Sequence, residues 1–332
     1  MNTFGRIFRV SMLGESHGEC VGVLIDGVPA GIPLSPADFD GDLERRRSGA
    51  RGTTPRKESD VPQIRSGVFE GKATGAPVLI VFANTDTDSA AYERLRTTPR
   101  PGHADFVALK KFGGFSDYRG GGHFSGRLTA GIVAAGVVAK KVIAPAVADA
   151  KLVEAGGSGD VAAAVEMAMN EGDSVGGVVE CRVNGLPAGL GEPFFDSAES
   201  LLAHAIFAIP AIKGIEFGAG FAGSRMRGSE LSDDIIDVDG RTRTNHEGGI
   251  NAGITNGNEV LLKVAVKPTS SIKKGRQTVD MATGQHAEIR VEGRHDACIA
   301  LRVPVVVEAV AAIVFADLLL LEQKVPRVAR RG

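Results

Sequence analysis

Gly14-Glu15-Ser16-His17-Gly18 opens a stretch whose frame returns ungapped at Gly172-Asp173-Ser174-Val175-Gly176, and the two copies stay in step for eighteen residues, to Gly31 and Gly189. Identical pairs are Gly14/Gly172, Ser16/Ser174, Gly18/Gly176, Val21/Val179, Gly27/Gly185, Pro29/Pro187, Ala30/Ala188 and Gly31/Gly189. Self-similarity of this kind marks an internal duplication. Each copy reads as a loop, a strand and a Gly-x-Pro-Ala-Gly turn, since glycine permits positive φ and proline restricts it. The copies part at one telling position, where His17 is matched by Val175. An imidazole replaced by valine in an otherwise kept loop predicts a proton-transfer group in the first copy and a structural loop in the second. A satisfied structural histidine is the competing reading.

The chain has 332 residues, 43% of them hydrophobic, enough to bury a large core as one domain or as two halves. Its net charge of −2 provides no basic field for nucleic acid, so an anionic partner must be met by local clusters. Cys20, Cys181 and Cys298 are too widely spaced for a metal or redox motif, which fits a reducing cytoplasm. Residues 1–10 lack the apolar run of a signal peptide, and charges at Arg302, Glu308 and Asp317 interrupt the apolar stretch near 303–321, so no membrane segment is expected.

Short strands are predicted at 7–12 and 20–28, followed by a helix over 36–46 with Ser35 as N-cap and Pro36 in its first turn. Residues 45–60 form a basic loop: Arg45, Arg46, Arg47, Arg51, Arg56 and Lys57 stand among small residues without apolar periodicity. Further strands are expected at 78–83, 178–184 and 260–266, and further helices at 125–143, 160–170, 197–209 and 304–321. No linker divides the chain, so one domain over 1–332 is expected, with quasi-repeated halves of about 1–150 and 151–332.

Several clusters offer chemistry. His103 lies in a turn between Arg100 and Asp105, which suits acid catalysis and equally suits a surface histidine at a helix start. Arg294-His295-Asp296 puts guanidinium, imidazole and carboxylate in three residues; as a strand it would set His295 on the opposite face from its neighbours, and otherwise it is a salt-bridged turn. Lys267-Pro268-Thr269-Ser270-Ser271 offers a cation, hydroxyls and backbone donors to a phosphate or a flavin ring edge. In residues 120–127, glycines allow close approach, Ser125 caps a helix and Arg127 adds charge. The basic loop is either solvated surface or a clamp for a small polyanion. No dinucleotide-binding or Walker glycine motif is present, and no zinc spacing.

Taken in order, these blocks resemble the chorismate synthase family: Gly14-Glu15-Ser16-His17-Gly18, Asp26-Gly27-Val28-Pro29, Arg45-Arg46-Arg47, Arg100-Pro101-Gly102-His103-Ala104-Asp105, Tyr118-Arg119-Gly120-Gly121-Gly122, Ser125-Gly126-Arg127, residues 185–193, Asn245-His246-Glu247-Gly248-Gly249, Lys267-Pro268-Thr269-Ser270-Ser271 and Arg294-His295-Asp296. The resemblance implies an α+β fold, a β-α-β sandwich in which antiparallel sheets enclose helices about an internal pseudo-twofold, and a cytoplasmic homotetramer. It implies a lyase that uses reduced FMN (FMNH2) to remove phosphate and a hydrogen from 5-enolpyruvylshikimate 3-phosphate across the 1,4 positions, giving chorismate with no net redox change. By carry-over, His17 would keep the reduced flavin suitably protonated, His103 would act as acid and Asp296 would help flavin N5 accept the substrate hydrogen. Arg46 and Arg51 would hold substrate anions, in an area that relatives assign to a nicotinamide phosphate. Flavin contacts would fall on His123, Phe124, Ser125, Ala211, Ala252, Lys267, Pro268, Thr269, Ser270, Ser271 and Arg294. Many relatives have Arg-Ser-Ser at 123–125, and a longer segment at 151–160. Two other readings fit the motifs, a noncatalytic flavin- or anion-binding scaffold and an enzyme that reduces its own flavin; with no separate nicotinamide fold, NADPH is expected to act only indirectly, as an external reductant.

Overall fold

The computed structural model describes residues 1–54, 59–85, 87, 90–290 and 295–326. In the first half, β1 (Thr3–Phe4), β2 (Arg9–Gly14) and β3 (Cys20–Asp26) are followed by α1 (Asp40–Arg46), β4 (Gln63–Ser66), β5 (Val78–Ala83), α2 (Asp105–Phe112) and α3 (Thr129–Ile143). The second half contributes β6 (Val147–Ala155), α4 (Val161–Asn170), β7 (Gly177–Asn184), α5 (Ala198–Ile206), β8 (Ile212–Phe217), β9 (Val260–Val266) and α6 (Pro304–Leu321). Both main sheets are antiparallel, in the orders β1-β2-β3-β5-β4 and β8-β9-β7-β6.

The duplication extends from sequence to topology. Strands β2, β3, β4 and β5 with helices α1 and α3 repeat, in the same chain order and sheet order, as β6, β7, β8 and β9 with α5 and α6. Alternation along a strand sends every second side chain to one face. Val21, Val23 and Ile25 of β3 are fully buried, and so are Val179, Cys181 and Val183, the positions that the repeat pairs with them. At the turns that follow, Gly27 and Gly185 have φ of 78° and 83°, a left-handed conformation that glycine adopts without strain. One difference is an insertion: α4 lies between β6 and β7, where the first half has only the loop holding His17.

α3 packs on β3 and β5, α6 packs on β6 and β7, and the two helices pack on each other, so the sheets enclose a helical layer. One buried cluster draws on both halves. α6 is long and apolar enough to cross a membrane, yet 89% of it is buried within the protein, which accounts for its apolar surface. Small residues allow the close approach of the helices: a Cβ on Gly136 would collide with Ala309.

Several boundaries depart from the expected ones: the first expected strand is Arg9–Gly14 rather than 7–12, the next ends at Asp26, and α3 starts at Thr129 after a 3-10 turn, while two others have evident local reasons. The helix predicted from 36 begins as a 3-10 turn, Pro36–Phe39, capped by Ser35 and Asp38, before α1 starts at Asp40. The helix expected to reach 209 ends at Ile206, ahead of Pro210, which disfavours helical backbone before it. Gly136→Val is expected to overpack the helix pair and cost roughly 1–3 kcal/mol, seen as a lower urea midpoint; an unchanged midpoint would contradict this contact.

Candidate active site

A cavity of about 780 Å³ opens where the ends of these elements converge. Its wall takes Arg46 and Arg47 from the end of α1, Asp60, Gly102 and His103, the stretch Gly120 to Arg127 without Gly121 and Gly122, Phe207 to Ile212, Lys267 to Ser271, Asp296 and Arg302. Among the described residues, six cations, Arg46, Arg47, Arg100, Arg127, Lys267 and Arg302, line it with two carboxylates, Asp60 and Asp296. The cavity therefore favours a multiply anionic guest.

Its deepest part is an ion cluster. Arg46 and Arg127 are 3% and 6% exposed, and each donates to a different oxygen of the buried Asp60. Burial lowers the Arg46 pKa to about 10, with Asp60 opposing the shift, so the guanidinium stays charged at neutral pH. Burial would raise Asp60, but Arg46 and Arg127 outweigh it and hold the carboxyl below its usual value. One carboxylate between two guanidiniums leaves an excess positive charge. Among the described residues, Arg46 Nε, Arg47 Nε and Thr269 Oγ1 belong to wall residues but are enclosed by protein without hydrogen-bond partners, an unusual condition.

His103 is held from behind. Its Nδ1 is 2.6 Å from Asp105 Oδ1, while Arg100 donates to both Asp105 oxygens at 2.8 and 2.9 Å and to Ser271 Oγ at 3.1 Å. Burial opposes ionisation of Asp105, yet the bonds from Arg100 and His103 hold its pKa well below the ordinary carboxylate range. An ionised Asp105 keeps the proton on Nδ1, so Nε2 is the nitrogen that can exchange a proton with a guest.

His17 stands one layer back. It is buried, lies 3.2 Å from Ser16 Oγ through Nδ1, and meets the Tyr92 ring edge-on at 5.1 Å. Gly120, with φ of 58°, covers it so closely that a Cβ there would strike the imidazole. Tyr92 and Gly120 form cavity wall; His17 is behind them. The first repeat loop and the glycine run interlock further, through Ser16 N to Gly122 O at 3.1 Å and His123 Nδ1 to Gly14 O at 2.8 Å.

The second copy serves as a support. Ser174 Oγ donates to Thr269 O at 2.7 Å and Val175 N to Ala297 O at 2.9 Å, bracing both the Lys267–Ser271 segment and the loop of Asp296. On the cavity side, Lys267 Nζ and Ser270 Oγ donate to Gly102 O at 2.5 and 2.7 Å. Asp296 is in a loop rather than a strand, its Oδ1 accepting from Thr54 N at 3.0 Å and from Arg302 Nη1 at 3.5 Å.

The wall thus brings together Arg46, His103, Asp296, His123, Phe124, Ser125, Ala211 and Lys267, Pro268, Thr269, Ser270 and Ser271. Arg51 is elsewhere, 75% exposed and paired bidentately with Glu166 of α4 at 2.6 and 2.7 Å. Ala252 also lies off the wall, exposed in a turn with φ of 51°. Arg294 lies outside the described residues, as do Arg56 and Lys57 of the basic loop. Asp105 was expected as the charge beside His103, but Asp60 and Arg302 had no expected site role; Asp60 closes the basic loop as a carboxylate after a run of cations, and that contrast was its signal.

The family model for chorismate synthase matches residues 8–320. The chain belongs to the chorismate synthase family. It is 62% identical to the chorismate synthase of Chitinophaga pinensis over 99% of both chains, and 46% identical to that of Archaeoglobus fulgidus over 98% of this chain and 99% of the relative. A crystal structure of chorismate synthase superposes with a TM-score of 0.73 at 26% identity, covering 96% of this chain and 93% of that one. The family's activity is that of a lyase, and the cationic cavity suits an anionic substrate.

Asp60→Asn would leave Arg46 and Arg127 buried without a counter-charge, at an expected cost of about 3–5 kcal/mol at pH 7. Because the folded-state pKa of Asp60 lies below its unfolded value, this contribution is full above about pH 4 and lost as pH falls through the folded value. Denaturant unfolding is expected to show wild type and variant converging below that pH; a gap independent of pH would contradict the assignment.

Proposed function

We propose that this chain forms chorismate from 5-enolpyruvylshikimate 3-phosphate by a reduced-FMN-dependent anti-1,4-elimination of phosphate, as the last step of the shikimate pathway. The observation that carries the reading is the cationic wall itself, on which Arg46, Arg47, Arg127, Lys267 and Arg302 stand with His103. The substrate's phosphate and carboxylates need such donors, and arginine's fixed fork matches them. The flavin is assigned to the part of the wall made by His123, Phe124, Ser125, Ala211 and the Lys267–Ser271 segment, which combine an exposed aromatic ring with hydroxyls, backbone donors and a cation. Reduced FMN, when bound there, supplies the electron density that assists departure of phosphate.

The chain's own residues do the rest. Arg46 and Arg127 hold the anion against Asp60, which keeps both guanidiniums in place. His103 gives or takes a proton through Nε2, its other nitrogen locked by Asp105. Asp296, anchored through Oδ1, presents Oδ2 as a proton acceptor beside the flavin segment. His17 acts through the Gly120 turn, holding the protonation of the bound flavin; Val175 has no such group to offer. We assign the enzyme to one domain over 1–332, to the cytoplasm and to a homotetramer, with the exposed Phe194, Phe195, Phe221 and Val238 as apolar surface for other copies. The flavin arrives already reduced, and NADPH acts only at a separate reductase.

Anaerobic incubation with the substrate is the test. Phosphate and chorismate are expected with chemically reduced FMN, and neither with oxidised FMN plus NADPH. Product under the second condition would overturn the external source of reductant; no product at all from folded, flavin-binding protein would overturn the activity. His17→Ala and His103→Ala are each expected to lower turnover by about 10²–10⁴-fold with the fold retained. Arg46→Ala is expected chiefly to raise KM, by ~1–3 kcal/mol in binding.

A further inference from the structure

Glu308 is 1% exposed near the start of α6, a helix otherwise apolar there. Its carboxylate accepts Arg45 Nη1 at 2.8 Å and Nη2 at 2.5 Å, Lys140 Nζ at 2.9 Å and the Ala150 amide at 2.9 Å. Asp42 completes the cluster, 2.7 Å from Lys140 Nζ and 3.4 Å from Arg45 Nη1. Two carboxylates and two cations therefore join α1, α3, β6 and α6. Glu308 is removed from water at a desolvation cost, while Arg45 and Lys140 remain 45% and 26% exposed and so repay little of it, which leaves the cluster a small net contribution to stability. Holding the core together is thus a poor explanation for the cluster.

Its position supplies a better one. Arg45 and Arg46 are consecutive helical residues, so their side chains leave α1 about 100° apart. Arg45 turns to Glu308 and Arg46 turns into the cavity. The Arg46 carbonyl, at the same turn, accepts Arg302 Nε at 2.8 Å, and Arg302 lies just before α6. One segment of chain, 302–308, therefore grips the last turn of α1 through both a side chain and the backbone.

We propose that Glu308 is a positioning residue for the anion subsite, fixing the last turn of α1 through Arg45 so that the Arg46 guanidinium meets the substrate. The proposal rests on the reading that Arg46 holds a substrate anion.

A double-mutant cycle tests it. Glu308→Gln keeps the shape and gives up the charged acceptor. It is expected to raise KM for 5-enolpyruvylshikimate 3-phosphate about tenfold, with kcat within about twofold and oxidised FMN binding unchanged. Arg45→Met cuts the same link while Glu308 retains Lys140 and Ala150, and is expected to reproduce the effect. Combined with Arg46→Ala, either change is expected to add little to the KM of Arg46→Ala alone, because both act through that side chain. Additive losses, an unchanged KM in both single variants, or unfolding of both would overturn the proposal. If Arg46→Ala itself leaves KM unchanged, the reading of Arg46 has failed instead.

Discussion

Asp60 is a single carboxylate, enclosed by protein and set between two arginines that are themselves out of water. The candidate site depends on that arrangement. Without a shared counter-ion, Arg46 and Arg127 would be two like charges in a medium that screens poorly, and neither could stay in place with a donor left over for a guest. With it, both guanidiniums are held by one carboxylate, and both residues line the cavity. The cluster also joins parts far apart in sequence, since Arg46 ends α1 and Arg127 precedes α3 while bonding Asn84 beyond β5 through Nε at 3.0 Å.

The duplication explains how such a site could be built asymmetrically from a symmetric frame. Both halves supply a four-stranded antiparallel unit with a long helix, and both place a Gly-x-Ser-x-Gly loop at the same point of that unit. In the first half the loop supports the glycine run at 120–122 and carries His17; in the second it braces the 267–271 segment and carries Val175. Packing needs the shared glycines and the alternating buried strand residues in both copies. The imidazole stands in only one.

Much of the fold was legible because its elements follow strong local rules. β7 alternates cleanly, α3 and α6 are mostly apolar, and Ser35 with Pro36 marks a helix start by chemistry that needs no tertiary context. Site residues emerged where they sit in glycine-rich or charged motifs: His103, Asp296 and Lys267–Ser271 do reach one cavity. The remainder depended on distance in space. Nothing local shows that Asp60 would lie between residues 46 and 127, or that Arg302 would bond the carbonyl of Arg46. The same limit applies to Arg51, whose charge goes to Glu166 of the inserted helix α4, and to Ala252, which occupies an exposed turn away from the wall. His17 shows an intermediate case: its singularity was readable from the mismatch with Val175, whereas its place behind Gly120 and Tyr92 was not.

The central claim is that one cationic cavity, organised by Asp60, receives both the substrate's anions and the flavin. The most direct measurement is a crystal structure of the chain with oxidised FMN and 5-enolpyruvylshikimate 3-phosphate bound together. The account predicts a substrate anion bonded to Arg46 or Arg127 and the flavin against Lys267–Ser271, with His103 facing the substrate. Both ligands bound elsewhere, with this cavity filled only by water, would contradict it.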